Sequence, residues 1–203
     1  MIKTGENYGF SSARRIGYLA ADTTCLQRRR IVTNPLAIID PRRLTDNAFK
    51  LIADDWMLIT AGTRASYNTM TASWGAVGEL WNKKICICFV RPTRHTYQFI
   101  ERSSVFSLSF FDEKYREVLR HLGTVSGRDV DKMTIAGLTP IVSEHGAIYF
   151  AEARLVFECR KIYSDDLRPG QFLAPEIADC YPRKDYHRFY IGEILTCQIR
   201  NST

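Results

Sequence analysis

Asn68-Thr69-Met70-Thr71-Ala72-Ser73-Trp74 alternates small hydroxyl side chains with larger or apolar ones, and this two-residue period is typical of a β-strand. One face is expected to carry hydroxyls and the other apolar groups: Thr69, Thr71 and Ser73 on the first, Met70, Ala72 and Trp74 on the second. A row of small hydroxyls makes a poor core, so the segment is predicted to be the polar wall of a site. The alternative is the solvated outer face of an edge strand.

A polar loop, Arg91-Pro92-Thr93-Arg94-His95-Thr96, follows the next predicted strand and is expected to open a helix. Pro92 fixes its own φ and restricts Arg91, and Thr93 is a residue type that favours the N-cap position. The free N–H groups of a first helical turn attract phosphate, and Arg94 and His95 would add donors. The loop is therefore a candidate phosphate site. The alternative is an ordinary helix cap with solvated charges.

Short segments rich in β-branched or aromatic residues predict further strands. They cover residues 56–63, 68–76, 85–90 and 105–111, with longer strands at 148–163 and 187–199. In the strand at 148–163, Leu155, Phe157 and Cys159 are expected to face the core, with Glu158 on the polar side. Many strands with few helices predict a mainly β fold with α additions, of the barrel type, without linker or internal repeat.

Helices are predicted at three places. The first covers residues 41–52 after Asp40, the second residues 112–122 with Gly123 ending it, and the third residues 129–136. Residues 164–185 contain three prolines and a glycine, so we expect a long surface excursion there, of a kind that often forms a lid or a partner contact.

These motifs together resemble the flavin reductase-like family, whose members bind FMN on a split β-barrel. The resemblance rests on residues 68–74 and 90–96 and on three further stretches in the same order, at 123–132, 136–140 and 185–194. It implies an FMN-binding split β-barrel domain over residues 35–203, with FMN as cofactor and NADH or NADPH as electron donor. It also implies a homodimer with the flavin near the subunit interface.

The resemblance also implies the roles of individual residues. The strand and turn at 69–74 would run along the isoalloxazine ring, and Ser126 and Lys132 would lie near its polar edge. For the last two the alternative is a capping sequence with a surface lysine. His187, ahead of Gly192-Glu193, would lie near the flavin or the incoming nicotinamide, and it is the candidate catalytic residue; its alternative is a structural histidine. The candidate cofactor-binding residues are Thr69, Met70, Thr71, Ala72, Ser73, Trp74, Arg91, Pro92, Thr93, Arg94, His95, Thr96, Ser126 and Lys132.

The predicted function is an FMN-binding oxidoreductase that passes hydride from NAD(P)H to flavin and then electrons to a small-molecule or protein acceptor. Such chemistry needs no Ser/His/Asp arrangement, because the protein mainly orients the two rings. The sequence holds no Gly-x-Gly-x-x-Gly fingerprint, which argues against a Rossmann NAD site. The alternative is a non-catalytic FMN-binding electron carrier.

The chain has 203 residues, 45% of them hydrophobic, which is enough for one substantial core. Of the formal net charge of +6, residues 1–34 hold six basic and two acidic side chains and so carry +4, leaving +2. Nucleic-acid binding through this tail is a weaker alternative function. The tail is predicted to be a flexible N-terminal extension, and its Arg-rich, acid-poor composition leaves a transit peptide as the alternative.

The six cysteines are scattered, which indicates a reducing compartment and a cytoplasmic protein. Cys86 and Cys88 share one face of a predicted strand, but no second Cys/His pair at ligand spacing accompanies them. We expect buried small apolar residues and no metal site. Without a run of about twenty apolar residues, no membrane association is expected.

Overall fold

A computed structural model describes residues 36–130, 132 and 137–200. The predicted extension at residues 1–34 and most of the helix predicted at 129–136 lie outside these residues.

The described residues form ten strands and two α-helices. The strands are β1 Leu36–Ile39, β2 Met57–Thr63, β3 Ser66–Ala72, β4 Gly75–Leu80, β5 Lys83–Val90, β6 Val105–Phe110, β7 Pro140–Val142, β8 Ile148–Phe150, β9 Leu155–Asp166 and β10 Arg188–Arg200, and the helices are α1 His95–Arg102 and α2 Arg116–Thr124. Eight strands build one antiparallel sheet in the order β3-β2-β6-β9-β10-β5-β4, with β1 also paired to β10, while β7 and β8 form a separate hairpin. The predicted mainly β fold with α additions is confirmed.

The two outermost strands of this sheet, β3 and β4, are consecutive in the chain. Only Ser73 and Trp74 separate them, so the sheet must curl until its two edges meet, which produces a split barrel. The single strand predicted at 68–76 is therefore wrong. Its first part pairs with β2, and from Gly75 onwards the chain pairs with β5. A Cβ at Gly75 would lie 2.8 Å from the carbonyl oxygen of Ile87, so this close pairing depends on glycine.

The described residues form two apolar core clusters. The larger fills the barrel and includes Ile59, Phe106, Phe157 and Tyr190. The smaller one packs α2 and the β7–β8 hairpin against the outside of β2, β6 and β9. Strand β6 and the first five residues of β9, 155–159, are thus buried on both faces, which is why a two-residue polar alternation is misleading there.

Glu158 shows the consequence of this double burial. We expected it on the polar side of its strand, but it is only 1% exposed because the β7–β8 hairpin covers that face of β9. The hydroxyl of Ser143 donates to its carboxylate, and Nδ1 of His145 lies 3.3 Å from it. The prediction of a solvated face is therefore wrong.

The helix predicted at 41–52 is divided into two turns. Asp40 caps a 3-10 turn at Pro41–Arg43 by accepting from the Arg42 N–H at 3.0 Å. Asn47 then accepts from the Phe49 N–H at 3.0 Å and starts a second turn that continues as π-helix through Lys50–Asp54. Each Asx side chain starts its own turn, so one continuous helix was the wrong interpretation.

Two other boundaries also differ from prediction. Helix α2 passes through Gly123 and ends at Thr124, and the strand predicted at 148–163 is interrupted at 151–154 between β8 and β9. The excursion before β10 is confirmed as a largely irregular segment, with 3-10 turns at Pro169–Gln171 and Pro175–Cys180.

Cys86 and Cys88 are fully buried in the barrel, as predicted. Within the part of the chain that the structure describes, no group of three or more His, Cys, Asp or Glu side chains is arranged to hold a metal ion.

Among residues 36–130, 132 and 137–200, no helix combines the length and apolar character needed to cross a bilayer.

Candidate functional site

A cleft of about 400 Å³ opens where β3 gives way to β4. This volume lies in the range of protein pockets that bind small molecules and cofactors. Three segments of the chain form its walls: the end of β3 with the two residues that connect it to β4, the loop after β5, and the residues just before β10. The lining side chains are Met70, Thr71, Ala72, Ser73, Trp74, Phe89, Arg91, Thr93, Arg94, Asp185 and His187.

The threonine hydroxyls of β3 bind other parts of the protein. Thr69 is fully buried, and its Oγ1 lies 2.9 Å from Oγ1 of Thr60 in β2. Oγ1 of Thr71 donates to the carbonyl oxygen of Leu119 in α2 at 2.5 Å. The predicted polar wall is therefore wrong for Thr69, whose side chain anchors the strand and does not line the cleft. Thr71 and Ser73 do line it, and among the described strands β3 is at the sheet edge, with one row of backbone groups outside its ladder with β2.

The loop after β5 opens α1 as predicted, but one residue later. Arg94, and not Thr93, occupies the N-cap position, and the helix begins at His95. The Arg94 guanidinium donates to the carbonyl oxygen of Gly123 in α2 at 2.8 Å, which holds it beside the start of α1. Burial and the nearby Arg91 lower the pKa of Arg94 from its ordinary value. The first N–H groups of a helix have no intrahelical partners, so this end of α1 offers donors to an anion.

Thr96 and His95 divide their roles at this helix start. Thr96 is 1% exposed, and its Oγ1 accepts from the Asn68 side-chain amide at 2.7 Å, so it ties α1 to β3. His95 is more accessible, and its Nδ1 lies 2.6 Å from the amide nitrogen of Gln98. Burial, followed by the charges of Arg128 and Lys132, lowers the pKa of His95. A neighbouring anion would reverse that charge effect and favour the protonated imidazole.

Arg91 is committed to the segment before β10. Its guanidinium donates to both oxygens of Asp185 at 2.9 and 3.0 Å and to the carbonyl oxygen of Cys180 at 3.0 Å. It also lies 5.2 Å from the ring centroid of Tyr181. Arg91 therefore lines the cleft mainly as the residue that connects the loop after β5 to the segment before β10. Pro92 and Thr93 are exposed beside it.

Lys132 is buried, which excludes the surface-lysine alternative. It is 5% exposed, and its Nζ donates to the carbonyl oxygens of Thr69 at 3.0 Å and Leu122 at 2.9 Å. Burial first, and then the charge of Arg94, lower the pKa of Lys132 to about 8. The ammonium is thus a cation that the fold holds close to a second cation, an arrangement that favours a bound anion.

The loop at 126–130 lies against the start of α1. Ser126 Oγ accepts from the Arg128 N–H at 3.2 Å, so the hydroxyl shapes the turn, and Arg128 reaches the carbonyl oxygen of Thr93 at 3.5 Å. Gly127 packs so closely that an added Cβ would lie 2.1 Å from Oδ1 of Asn68. A polar cavity of about 360 Å³ lies here, lined by Tyr67, Asn68, Gly127, Arg128, Asp129, Val130 and Lys132.

His187 lies at the opposite wall of the cleft. It is 8% exposed, its Nδ1 is 2.9 Å from the hydroxyl of Tyr181, and its ring centroid is 5.1 Å from that of Trp74. Burial, and then the charge of Arg91, lower the pKa of His187 to about 4. The imidazole is therefore neutral at physiological pH. The structure brings His187 and Trp74 together across the mouth of the cleft.

A second, apolar cavity of about 590 Å³ adjoins the cleft and shares Ser73, Trp74 and Phe89 with it. Sequence reasoning missed Phe89, which lines both cavities, and Tyr181, which lines the apolar one. Phe89 carried a detectable signal, because it ends a strand directly before the polar loop, but nothing in the local sequence distinguishes Tyr181 from other aromatic residues of the excursion.

The chain belongs to the flavin reductase-like family. The sequence model of the family described as "Flavin reductase like domain" matches residues 49–203, which is most of the chain. No curated protein sequence matches it.

Solved structures of this fold are similar to the chain at low identity. An FMN-binding domain of a flavin reductases-like enzyme from Shewanella baltica has a TM-score of 0.59 and 17% identity, over 83% of this chain and 79% of that chain. The NADH:FAD oxidoreductase of Streptomyces globisporus gives 0.56 and 18%, over 71% and 75%. Flavoredoxin from Methanosarcina acetivorans gives 0.55 and 22%, over 70% and 67%. These likenesses establish the split-barrel fold, as the sequence resemblance implied.

Proposed function

We propose that this chain binds FMN in the cleft between β3 and β10 and serves as an NAD(P)H-dependent flavin reductase-like oxidoreductase. One observation carries the proposal. Arg94, which is half-buried and lines a cleft of cofactor size, and Lys132, which is buried, both lie close to the start of α1. Membership of the flavin reductase-like family supports the same assignment.

The residues at the start of α1 fit a phosphate group. A dianion gains from backbone N–H groups of a first helical turn and from charge-assisted contacts with a guanidinium and an ammonium. Arg94 and Lys132 are already fixed by carbonyl oxygens of Gly123, Thr69 and Leu122. Because they are held in place before binding, little side-chain freedom is lost when the phosphate arrives.

The cleft beyond these cations fits a flat, polar-edged ring system. Backbone groups at the free edge of β3 and the Ser73 hydroxyl offer hydrogen bonds to ring carbonyls and nitrogens, and Trp74, which is 45% exposed, offers an aromatic surface. Bound FMN would supply the hydride-accepting centre of the reaction. The chain's own contribution would be to orient the rings, with Trp74 and neutral His187 at the mouth of the cleft where the nicotinamide of NADH or NADPH would enter.

We further propose a homodimer with the flavin near the subunit interface. An aromatic row, consisting of Trp81, Tyr163, Phe189 and Phe89, crosses the outer face of the sheet with ring centroids 6.0 to 6.2 Å apart. Trp81 is 56% exposed and Tyr163 43% exposed, and Phe89 lines the cleft. An apolar row of this kind favours coverage by another subunit. Sedimentation velocity of the wild type and of Trp81→Lys tests it: a monomeric wild type would reject the dimer.

Two measurements test the cofactor and the reaction separately. FMN is titrated into apoprotein and followed by flavin fluorescence and absorbance; properly folded protein that does not bind FMN would overturn the whole proposal. The FMN-loaded protein is then mixed anaerobically with NADH or NADPH. Rapid loss of flavin absorbance with either donor supports the reductase, whereas an unchanged absorbance with both donors supports a non-catalytic electron carrier. The final electron acceptor, small molecule or protein, is then sought by turnover with candidate acceptors.

A further inference from the structure

In the described chain, one side-chain hydrogen bond connects the excursion at residues 164–185 to His187, and Tyr181 makes it. Its hydroxyl lies 2.9 Å from Nδ1 of His187, and it is itself only 4% exposed. The excursion thus supplies a buried partner for an imidazole that lines the cleft from the other side.

The position of Tyr181 is fixed independently of this hydrogen bond. Its ring stacks on Phe172 with centroids 5.9 Å apart and an angle of 17° between planes, and it contacts Tyr186 at 5.0 Å. The Arg91 guanidinium, itself held by Asp185, lies 5.2 Å from the ring centroid. A hydroxyl on so constrained a ring is a fixed hydrogen-bonding group.

The surroundings of the hydroxyl decide which partner donates. A neutral imidazole has one N–H and one bare nitrogen, so Nδ1 either donates to the Tyr181 oxygen or accepts from it. Among the described residues, Nδ1 of His187 is the hydrogen-bond partner of the Tyr181 hydroxyl. The hydroxyl belongs to a buried residue and carries a hydrogen, which would be left without this acceptor if Nδ1 donated instead. The arrangement that satisfies the phenolic hydrogen is therefore donation from Tyr181 to a bare Nδ1.

The hydrogen of His187 then belongs on Nε2. His187 lines the cleft whereas Tyr181 does not, so the ring edge away from Tyr181, which carries Nε2, is the edge on the cleft side. The imidazole itself lies beside Trp74, with ring centroids 5.1 Å apart. The charged groups around the imidazole are Arg91 and Asp185, which are paired with each other.

We infer that Tyr181 is a positioning residue that holds His187 in its Nε2–H tautomer, so that the imidazole presents a neutral N–H donor to a carbonyl oxygen of the ring bound at the mouth of the cleft. The ligand class is a carbonyl or carboxamide, because a neutral imidazole supplies the single N–H donor that such an oxygen accepts and carries no charge to pair with a carboxylate or phosphate. The role toward a bound ring rests on the proposed function. The tautomer itself does not.

The tautomer is tested on protein without flavin. Protein labelled with 15N histidine is examined by long-range 1H–15N NMR at pH 7, and the His187 signals are assigned from their loss in His187→Asn. We expect Nδ1 to be the bare nitrogen and Nε2 the protonated one.

In Tyr181→Phe, which keeps the aromatic ring and removes the hydroxyl, both tautomers of His187 should be populated and the pKa of His187 should change. Tyr186→Phe removes a hydroxyl from the same aromatic cluster and should leave the signals unchanged. A wild type protonated at Nδ1, or a Tyr181→Phe protein with the wild-type tautomer, would overturn the inference.

The role toward the ring is tested on the FMN-loaded protein. Single-turnover hydride transfer from NADH or NADPH should slow or require more donor in Tyr181→Phe, by about threefold to tenfold in kcat/KM, the factor that one neutral hydrogen bond contributes. Flavin affinity should stay at the wild-type value, and Tyr186→Phe should react as the wild type. An unchanged kcat/KM in Tyr181→Phe would reject the donor role. Absence of FMN binding would instead reject the proposed function, and it would not affect the NMR result, which is obtained without flavin.

Discussion

Nζ of Lys132 lies 3.0 Å from the carbonyl oxygen of Thr69, so a buried ammonium joins the loop after α2 to the edge strand of the barrel. The same group donates to the carbonyl oxygen of Leu122, at the other side of the loop. Two backbone carbonyls stabilise the cation only in part, and its lowered pKa records the remaining cost of burial. A phosphate beside it would supply a counter-charge.

FMN affinity should therefore fall as the pH rises above about 8, the pKa of Lys132 in the free protein. The ammonium attracts the phosphate while it is charged, and this contribution is lost on deprotonation; bound phosphate raises the pKa and moves the loss to higher pH. We expect a decrease of about tenfold in affinity between neutral and strongly alkaline pH, followed by fluorescence titration. Lys132→Gln should bind more weakly at pH 7 and lack this pH dependence. A Lys132→Gln protein with the wild-type slope would contradict the assignment.

Arg94→Ala should weaken FMN binding by about tenfold or more, because it removes a charge-assisted contact worth about 1.5 to 3 kcal/mol. The matched control is Arg102→Ala, which removes an exposed guanidinium from the last turn of the same helix. That change should leave the dissociation constant near the wild-type value. Equal losses in the two variants would indicate a general effect of net charge.

Gly127→Ala should also weaken FMN binding, although it changes no charge. The added Cβ would lie 2.1 Å from Oδ1 of Asn68 and 3.0 Å from Cδ2 of His95, so either the loop or the Asn68 side chain must move. Asn68 holds Thr96 at the start of α1, and its displacement would disturb the helix end that we propose binds the phosphate. Gly78→Ala, where the new Cβ meets nothing within 4 Å, is the control. Wild-type affinity in Gly127→Ala would reject this account of the loop.

Gly192→Ala should destabilise the fold by about 1 to 3 kcal/mol through overpacking. A Cβ at this position in β10 would lie 2.6 Å from Cζ of Phe106 and 2.8 Å from Cβ of Cys159, both inside the barrel. Urea denaturation should show a lower midpoint with an unchanged slope. Gly78→Ala should unfold at nearly the wild-type midpoint, and similar midpoints for the two variants would contradict the packing described for the barrel.

The free energy of unfolding should fall as the pH decreases from about 6.5 to about 4 because of His187. Its pKa is about 4 in the folded protein against an ordinary value of 6.5, so the unfolded chain binds the proton more readily across that interval. The full loss amounts to about 3 kcal/mol. Below pH 4 both states are protonated and this contribution stops changing. His187→Asn should have a flatter profile between pH 4 and 6.5 in urea denaturation; the same slope as the wild type would show that other groups cause the loss.

Much of the fold could be predicted from the sequence because most strands carry their own signal. Segments rich in β-branched or aromatic residues at 105–111 and 85–90 predicted β6 and β5. The break between β3 and β4 could not be predicted, since alternation continues through Ser73 and Trp74 and only the pairing partners change. Likewise the burial of Glu158 depends on a hairpin that packs from elsewhere in the chain.

The site was predictable to a similar extent. The loop from Arg91 to Thr96 was found because residue types that cap helices and bind anions stand together in it. The direction of the threonine side chains was not predictable, because α2 and β2 decide which hydroxyls of β3 are used internally. Nor was the burial of Lys132, since no local pattern shows that two distant carbonyls will receive its ammonium.

The two-residue connection at Ser73 and Trp74 also bears on how this scaffold could diversify. Hydrogen bonds of β3 and β4 run to different neighbours, so the connection is a place on this rim where length could change without breaking a ladder in the described sheet. An insertion there would widen or narrow the gap over which a flat ligand lies, while the interior stays as it is. The choice of electron acceptor could thus change through this connection without a loss of barrel stability.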